Sequence, residues 1–241
     1  MNAIDPGTPL GLLVAERPAR ARVFESLGLD YCCGGARPLV DACVASGLAL
    51  ESVLEQLDRT DRSAQASHEI DWRIAPLSAL TAHILDTHHV FLRRELPRLA
   101  AVLEKVTEVH GQNHAELFKL QRVLSGLTDE MYAHMSKEEN VLFPMIARFE
   151  AGNDAAAAHC GSFVNPIRVM LMEHDAAAEA LHALRRLSGG FAPPADACAS
   201  YSSLLGGLHD LERDTHQHIH LENNILFPRV VDAEKSNLAG S

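Results

Sequence analysis

Residues 134–144, His134-Met135-Ser136-Lys137-Glu138-Glu139-Asn140-Val141-Leu142-Phe143-Pro144, return as residues 218–228, His218-Ile219-His220-Leu221-Glu222-Asn223-Asn224-Ile225-Leu226-Phe227-Pro228. Both copies read H-x-x-x-E-x-N-(V/I)-L-F-P. On an α-helix, positions i and i+4 lie about 40° apart around the axis and one turn along it. Each copy therefore sets an imidazole beside a carboxylate on one helix face. Two such faces turned inward make a metal-binding layer.

Working outward, the apolar positions fall three and four apart, the pattern of helices that bury one stripe in an antiparallel bundle. A first helix carries Leu85, His89, Leu92, Leu96, Leu99, Leu103 and Val106 on its stripe. A second carries Leu117, Leu120, Leu124, Leu127, Met131, His134, Glu138, Val141 and Met145. A third carries Ile167, Met170, His174, Ala177, Leu181 and Leu184, and a fourth Tyr201, Leu204, Leu208, Leu211, Thr215, His218, Glu222 and Ile225. Four histidines and two glutamates thus occupy places where a core helix would have leucine. Gly111-Gln112, Ala151-Gly152-Asn153-Asp154 and Gly189 to Pro194 stand midway between successive polar positions. In an up-down-up-down bundle, residues equidistant from a turn share a height, so all six fall in one layer. The corresponding residues of the two halves are offset by 84 or 85 positions, the mark of a duplicated helix pair.

Two carboxylates in a leucine stripe are costly unless paired or bound to metal. No Lys or Arg occupies the stripe positions, so internal salt bridges do not supply the partner. A layer of His–Glu hydrogen bonds is the plain alternative, but four imidazoles and two carboxylates at one height favour metal. Imidazole and carboxylate without thiolate suit iron or manganese, and also zinc. Two carboxylates shared among four imidazoles give a dinuclear site, with each glutamate bridging both ions and each ion taking two histidines. A bridging oxide or water and an open position complete an octahedron. Zinc prefers closed tetrahedral sites, so the pattern points to two irons.

Around this layer, the sequence places other features. Pro144 and Pro228 follow the ligand turns and predict a kink or break in both helices. His88, His216 and His220 face away from the stripe on α-helical geometry and read as surface or boundary residues, as do His83, His114, His182 and His209. Ligand imidazoles need an acceptor on the second ring nitrogen; Glu130 and Asp214, each four residues before a ligand histidine, are candidates, and Glu173 is a third. Residues 1–60 read as short helices: Leu10 to Val14, a second opened by Pro18 and ended at Gly28, a third opened by Pro38, and a fourth over Leu50 to Leu57. Asp30-Tyr31-Cys32-Cys33-Gly34-Gly35 is a loop on its glycines. Cys32 and Cys33 are either small residues in a tight turn or an accessible thiol pair for redox or metal handling; joined to each other, they would make a strained, easily reduced ring. Cys43, Cys160 and Cys198 stand alone and read as structural.

Composition narrows the classes. With 21 basic against 32 acidic residues the net charge is −11, which disfavours nucleic acid as a partner and offers no basic membrane face. No apolar run approaches the ~20 residues of a membrane span. The first ten residues lack a secretory pattern, and five unframed cysteines suit a reducing cytoplasm.

The chain resembles the di-iron iron–sulfur cluster repair family, also called regulators of cell morphogenesis and nitric-oxide signalling. The resemblance is carried by the Asp30-to-Gly35 loop, Asp71-Trp72-Arg73, Glu173-His174-Asp175 and the two Leu-Phe-Pro repeats. It implies an all-α protein: an antiparallel up-down four-helix hemerythrin-like bundle over 73–232, a small N-terminal helical domain over 1–60, a linker over 61–72 and a tail over 233–241. It implies His89, His134, His174 and His218 as iron ligands, Glu138 and Glu222 as bridging carboxylates, and an oxo or hydroxo bridge between two irons. It raises a thiol role for Cys32 and Cys33. The implied function is repair of iron–sulfur clusters damaged by nitric oxide or peroxide, with the damaged proteins as clients; from the ligand set itself, imidazoles and shared carboxylates without thiolate, the expected mechanism is supply of iron by release or exchange from the di-iron centre. Reduction of nitric oxide to nitrous oxide, or sensing of oxygen or nitric oxide, are the alternatives on the same ligands.

Overall fold

A computed structural model describes residues 4–63, 70–152 and 162–239. Among the described residues the chain is all-α, with no strand and one isolated bridge between Pro9 and Pro38. The chain divides into two compact units, Thr81–His218 and Met1–Leu80 together with Ile219–Ser241. The division falls inside the last ligand-bearing helix, between His218 and Ile219, whereas the sequence pattern alone assigns that whole helix to the bundle. No helix among the described residues is long and apolar enough to cross a membrane.

In the unit that holds the N-terminal segment, α1 (Leu10–Glu16), a 3-10 turn (Pro18–Arg20), α2 (Ala21–Leu27), α3 (Leu39–Ala45) and α4 (Leu50–Ser63) surround a core of Leu10, Leu13, Phe24, Tyr31, Leu39, Val53 and Leu57. Gly28 ends α2 in the left-handed region at φ 67°, a conformation cheap only for glycine. Pro9 and Pro38 stand directly before α1 and α3, where a missing N–H costs nothing. The α4 helix runs on to Ser63, beyond the polar boundary expected at Asp58. Its last turns stay ordered because Asp61 clasps the buried Arg20 guanidinium through two bonds, of 2.6 and 3.1 Å. Of the linker expected over 61–72, residues 64–69 lie outside the described residues, as do 153–161 with Cys160.

The second unit is a ring of four antiparallel helices. They are α6 (Val90–His110), preceded by α5 (Leu77–Ile84), α7 (Glu116–Lys137), α9 (Val164–Leu187) and α10 (Ala199–Leu221, of which this unit holds the part up to His218), with α8 (Phe143–Glu150) extending α7; α11 (Phe227–Ala239) belongs to the first unit. α7 packs on both α6 and α9. Arg185 of α9 pairs with the buried Glu212 of α10, and Gly207 of α10 lies against Leu99 of α6, which closes the ring. The predicted leucine stripe is the core: Leu92, Leu96, Leu99, Leu103, Leu117, Leu120, Leu124, Leu181, Leu184, Leu204, Leu208 and Leu211 are buried. Truncating one such leucine typically costs about 2–5 kcal/mol. Gly111 follows α6, and Gly189 and Gly190 take φ of 61° and 74° after α9, at the predicted turns.

The expected breaks at the prolines are instead single π-turns. Glu138–Leu142 and Glu222–Leu226 each carry a bond from the residue after the turn to its first carbonyl, five residues back: Phe143 N–H to Glu138 and Phe227 N–H to Glu222. Pro144 and Pro228 then enter the next helix at its second position, where no donor is needed. A further π-turn, Leu85–His89, the first of the three in chain order, lies between α5 and α6 without a proline. One inserted residue per turn shifts the helix face locally, a device frequent at functional sites.

Candidate metal centre

Five of the six predicted ligands lie in the bundle unit. His89 closes the first π-turn, His134 ends α7 and Glu138 opens the second π-turn, while His174 and His218 come from α9 and α10. All five are at most 2% exposed. The Glu138 oxygens diverge. Oε2 lies 3.2 Å from His89 Nε2 and 3.9 Å from His218 Nε2. Oε1 lies 3.2 Å from His134 Nε2, which stands 3.1 Å from His174 Nε2. Donor atoms of His89, Glu138 and His218 all fall within 4.8 Å of one another, as do those of His134, Glu138 and His174. One carboxylate is thus split between two imidazole pairs.

The donor set fits metal better than hydrogen bonding. Neither Glu138 oxygen has a hydrogen-bond partner, although the side chain is fully buried. An ionised carboxylate so placed would cost many kcal/mol without a cation. Two facing imidazole nitrogens at 3.1 Å suit neighbouring corners of one coordination sphere. With bonds of about 2.0–2.2 Å, adjacent ligands at right angles stand about 3 Å apart.

The outward nitrogens of two ligands are held by a repeated device. His89 Nδ1 meets Glu139 at 2.9 Å, and Glu139 is clamped by Arg93, one turn beyond His89. His134 Nδ1 meets Glu173 at 2.9 Å, and Glu173 pairs with Lys137 on the helix of His134. In each case the acid comes from a neighbouring helix and the base from the ligand's own. A carboxylate accepting the Nδ1 proton fixes the tautomer that turns the Nε2 lone pair inward. Partial burial works to raise both acids, but the bonds from Arg93 and His89, and from Lys137 and His134, hold them below the usual carboxylate range.

Glu222 belongs to the other unit, is fully buried, and follows His218 by four residues at the start of the third π-turn. Its neighbour Asn224 organises the cysteine loop within that unit. The Asn224 amide donates to the carbonyls of Tyr31 at 3.2 Å and Cys32 at 2.9 Å. Gly11 and Gly35 leave room for it: a Cβ on either would come within 2.3 Å of Asn224 Oδ1. The loop itself is wound on Asp30, whose carboxylate accepts the amides of Cys32, Cys33 and Gly34. The two sulfurs are not joined in a disulfide and lie 4.0 Å apart. Cys32 is buried, contrary to an accessible pair, while Cys33 is half-exposed. The bond to Cys33, burial and the Asp30 carboxylate push the Cys32 thiol well above its usual range, so it is a protonated donor.

Several expectations change. His88 is buried rather than superficial: its ring lies parallel to that of His218, with centroids 5.7 Å apart, and its Nδ1 meets Asp214 at 3.1 Å. The π-turn is the reason, because it narrows the angle between successive side chains below the ~100° assumed for an α-helix. Asp214 therefore bonds His88 and not the ligand His218. Glu130 is exposed, whereas Glu139, which the sequence reading passed over, bonds His89. His220 is also buried, its ring set edge-on to Tyr31 at 5.4 Å. Burial draws its imidazole down to about 4, so it stays neutral there. Cys43 lies in the core, but Cys198 is exposed beside His110.

A buried His/Glu metal layer across four antiparallel helices defines a hemerythrin-type cation-binding domain, and residues 80–230 match the hemerythrin HHE cation binding domain family. Residues 7–61 match the ScdA_N domain, described as a domain of unknown function. The chain is 37% identical to the iron-sulfur cluster repair protein YtfE of Pectobacterium carotovorum subsp. carotovorum, over 93% of this chain and 97% of that one. It is 35% identical to YtfE of Escherichia coli O17:K52:H18, over 94% and 97%. The probable iron-sulfur cluster repair protein of Haemophilus influenzae is 36% identical over 92% and 96%. The chain belongs to this family of two-domain, hemerythrin-containing repair proteins.

Proposed function

We propose that the protein repairs damaged iron–sulfur clusters, as the names of its relatives state for them, that it does so by supplying iron, and that His89, His134, His174, His218, Glu138 and Glu222 hold two irons for that purpose. The observation that carries the metal assignment is the split of the Glu138 carboxylate between two imidazole pairs. Held by neutral imidazoles and shared carboxylates without thiolate, with an oxo or hydroxo bridge, iron is exchangeable toward a sulfur-rich client. Glu138 and Glu222 serve as bridging carboxylates, Glu222 by its equivalence to Glu138 in the second copy of the motif. Glu139 and Glu173 orient His89 and His134 and keep Nε2 free of its proton. Arg93 and Lys137 hold those acids in place. Asn224 fixes the loop of Cys32 and Cys33 to the turn that Glu222 opens, and Cys33, the more exposed thiol, is the one that meets a client or a nitrosyl group. The clients are damaged iron–sulfur proteins of the cytoplasm, and nitric oxide or oxygen are the small ligands of the stress that damages them.

The test is transfer. Purified protein should hold about two irons per chain, from two bridging carboxylates with open N/O coordination. Mixed anaerobically with a hydratase whose cluster has been damaged by nitric oxide, it should restore activity while its own iron falls in step. Restoration without loss of iron would remove the supply mechanism. Stoichiometric nitrous oxide with no restoration would replace it by nitric oxide reduction. One tightly held zinc, with no iron after reconstitution, would remove the metal assignment itself.

A further inference from the structure

At the end of the bundle remote from the metal layer, a cysteine and a histidine from different helices meet. Cys198 is exposed and its carbonyl accepts the first helical bond of α10, from Ser202 N–H at 3.0 Å, so it occupies the N-cap position. Its sulfur lies 3.2 Å from Nε2 of His110, the last residue of α6. The His110 ring is steadied against Tyr201, with centroids 5.4 Å apart. About twenty residues of helix separate Cys198 from His218 and His110 from His89, so the pair lies about 30 Å from the ligands.

We propose that Cys198 and His110 form a thiolate–imidazolium pair that undergoes thiol–disulfide exchange with small-molecule disulfides. Three features of the geometry favour the thiolate. The first-turn amides of a 23-residue helix present partial positive charge to the sulfur. The imidazole takes the thiol proton and then donates Nε2–H back to the sulfur. The sulfur is open to solvent, so a reagent can approach it. The Tyr201 amide and His110 hold the Cys198 thiol below its usual range, in keeping with this arrangement. Other charged groups near the pair are His114, Glu116 and Asp196; both acids are bonded to His114, at 2.8 and 3.1 Å, and Asp196 also lies within electrostatic reach of His110, where its negative charge favours the imidazolium.

The exchange balances without a further reagent. The Cys198 sulfur attacks one sulfur of RS–SR, and a new S–S bond forms as the old one breaks. The bonding pair leaves with the departing thiolate, which takes the proton from His110 Nε2 and departs as RSH. The product is a mixed disulfide on Cys198; the small disulfide is the oxidant, and Cys198 is oxidised. Cys32 is suited to the opposite behaviour, since it is buried and keeps its proton.

The experiment treats the iron-loaded, full-length protein with glutathione disulfide and maps the adducts by mass spectrometry. Rates are then measured with 5,5′-dithiobis(2-nitrobenzoate) between roughly pH 5 and 9, against free glutathione, whose unperturbed thiol titrates near ~8.5. Cys198 should carry the first adduct. A tenfold gain in thiolate is offset about threefold by lower nucleophilicity, so its rate near pH 7 should exceed the free thiol's several-fold, with a midpoint below it. His110→Gln should bring rate and midpoint back to those of the free thiol, leaving helicity and iron content intact. Cys198→Ser should remove the early adduct. A wild-type Cys198 that reacts like free glutathione, in rate and midpoint, overturns the proposal even if His110→Gln fails to fold. So does a folded His110→Gln variant whose profile is unchanged.

Discussion

Replacing Gly11 by alanine tests whether Asn224 is the peg that fixes the cysteine loop. On helix propensity alone, alanine within α1 should stabilise by up to about 1 kcal/mol. The structure reverses the sign. The added Cβ would lie 2.3 Å from Asn224 Oδ1, 2.5 Å from Cγ and 3.1 Å from Cβ, and the three nearest atoms all belong to that one side chain. Asn224 must leave its socket, which surrenders its bonds to the Tyr31 and Cys32 carbonyls. At about 1 kcal/mol each, with a further 1–3 kcal/mol for residual overpacking, the cost is about 3–5 kcal/mol. Asn224→Ala alone loses the bonds but opens the space, at about 1–3 kcal/mol. With both changes made, alanine at 11 should cost almost nothing more, leaving a coupling of about 3–5 kcal/mol between the two sites, the full cost of Gly11→Ala in the wild-type background. Urea unfolding of the four proteins, iron-loaded and at equal concentration, gives the cycle. Additive penalties would mean that Asn224 does not fill the space beside Gly11, and the peg would be refuted. Cys33 labelling should accelerate in Asn224→Ala, because its loop is then released.

Gly126, inside α7 with nothing near its missing Cβ, is the contrasting case: Gly126→Ala should stabilise by about 1 kcal/mol, read as a rise in the urea midpoint. Glu139→Gln and Glu173→Gln should each weaken metal retention about 10–100-fold while leaving the fold intact, measured by competition with a chelator, and His89 and His134 are the ligands that should loosen. The bonds from Glu116 and Asp196 raise the His114 imidazole above its ordinary value, so its NMR titration should centre above 6.5. The associated stability is fully present below the unfolded value near ~6.5 and fades as pH rises through the raised folded one; His114→Gln should flatten that dependence.

The bundle and its polar layer were legible because burial acts on side chains through a fixed helical period. Leu92, Leu96, Leu99 and Leu103 keep that period, and the substitution of His89, His134, Glu138, His174 and His218 into it needs no neighbour to be noticed. The errors arise where the period changes or where the neighbour is far away in sequence. His88 was misplaced because a π-turn alters the angle on which its outward direction was reckoned. His220 was misplaced because the opposite face of its helix is covered by Tyr31, which no local pattern announces. Asn140 and Asn224 occupy equivalent places, yet Asn140 turns back to Ser136 while Asn224 reaches Tyr31 and Cys32. Only the glycines hinted at the difference. Gly34 and Gly35 were read as makers of a turn; Gly35 also clears a space for a side chain from the far end of the chain.

The bonds from Asn224 to Tyr31 and Cys32 span 193 and 192 residues, and this bears on the order of events during synthesis. The helices of the N-terminal segment emerge first, and the asparagine that fixes their cysteine loop is made 192 residues after Cys32, together with Glu222. The loop must stay unsecured while the whole bundle is translated, and closing so long a connection is a slow, entropically opposed step. Premature release from the ribosome before residue 222 would forfeit the proposed ligand Glu222 and the loop's anchor at once. Ordering of the thiol loop therefore reports that translation has run through the turn of Glu222, and protease sensitivity around Cys32 and Cys33 in ribosome-bound chains of increasing length would follow that clock.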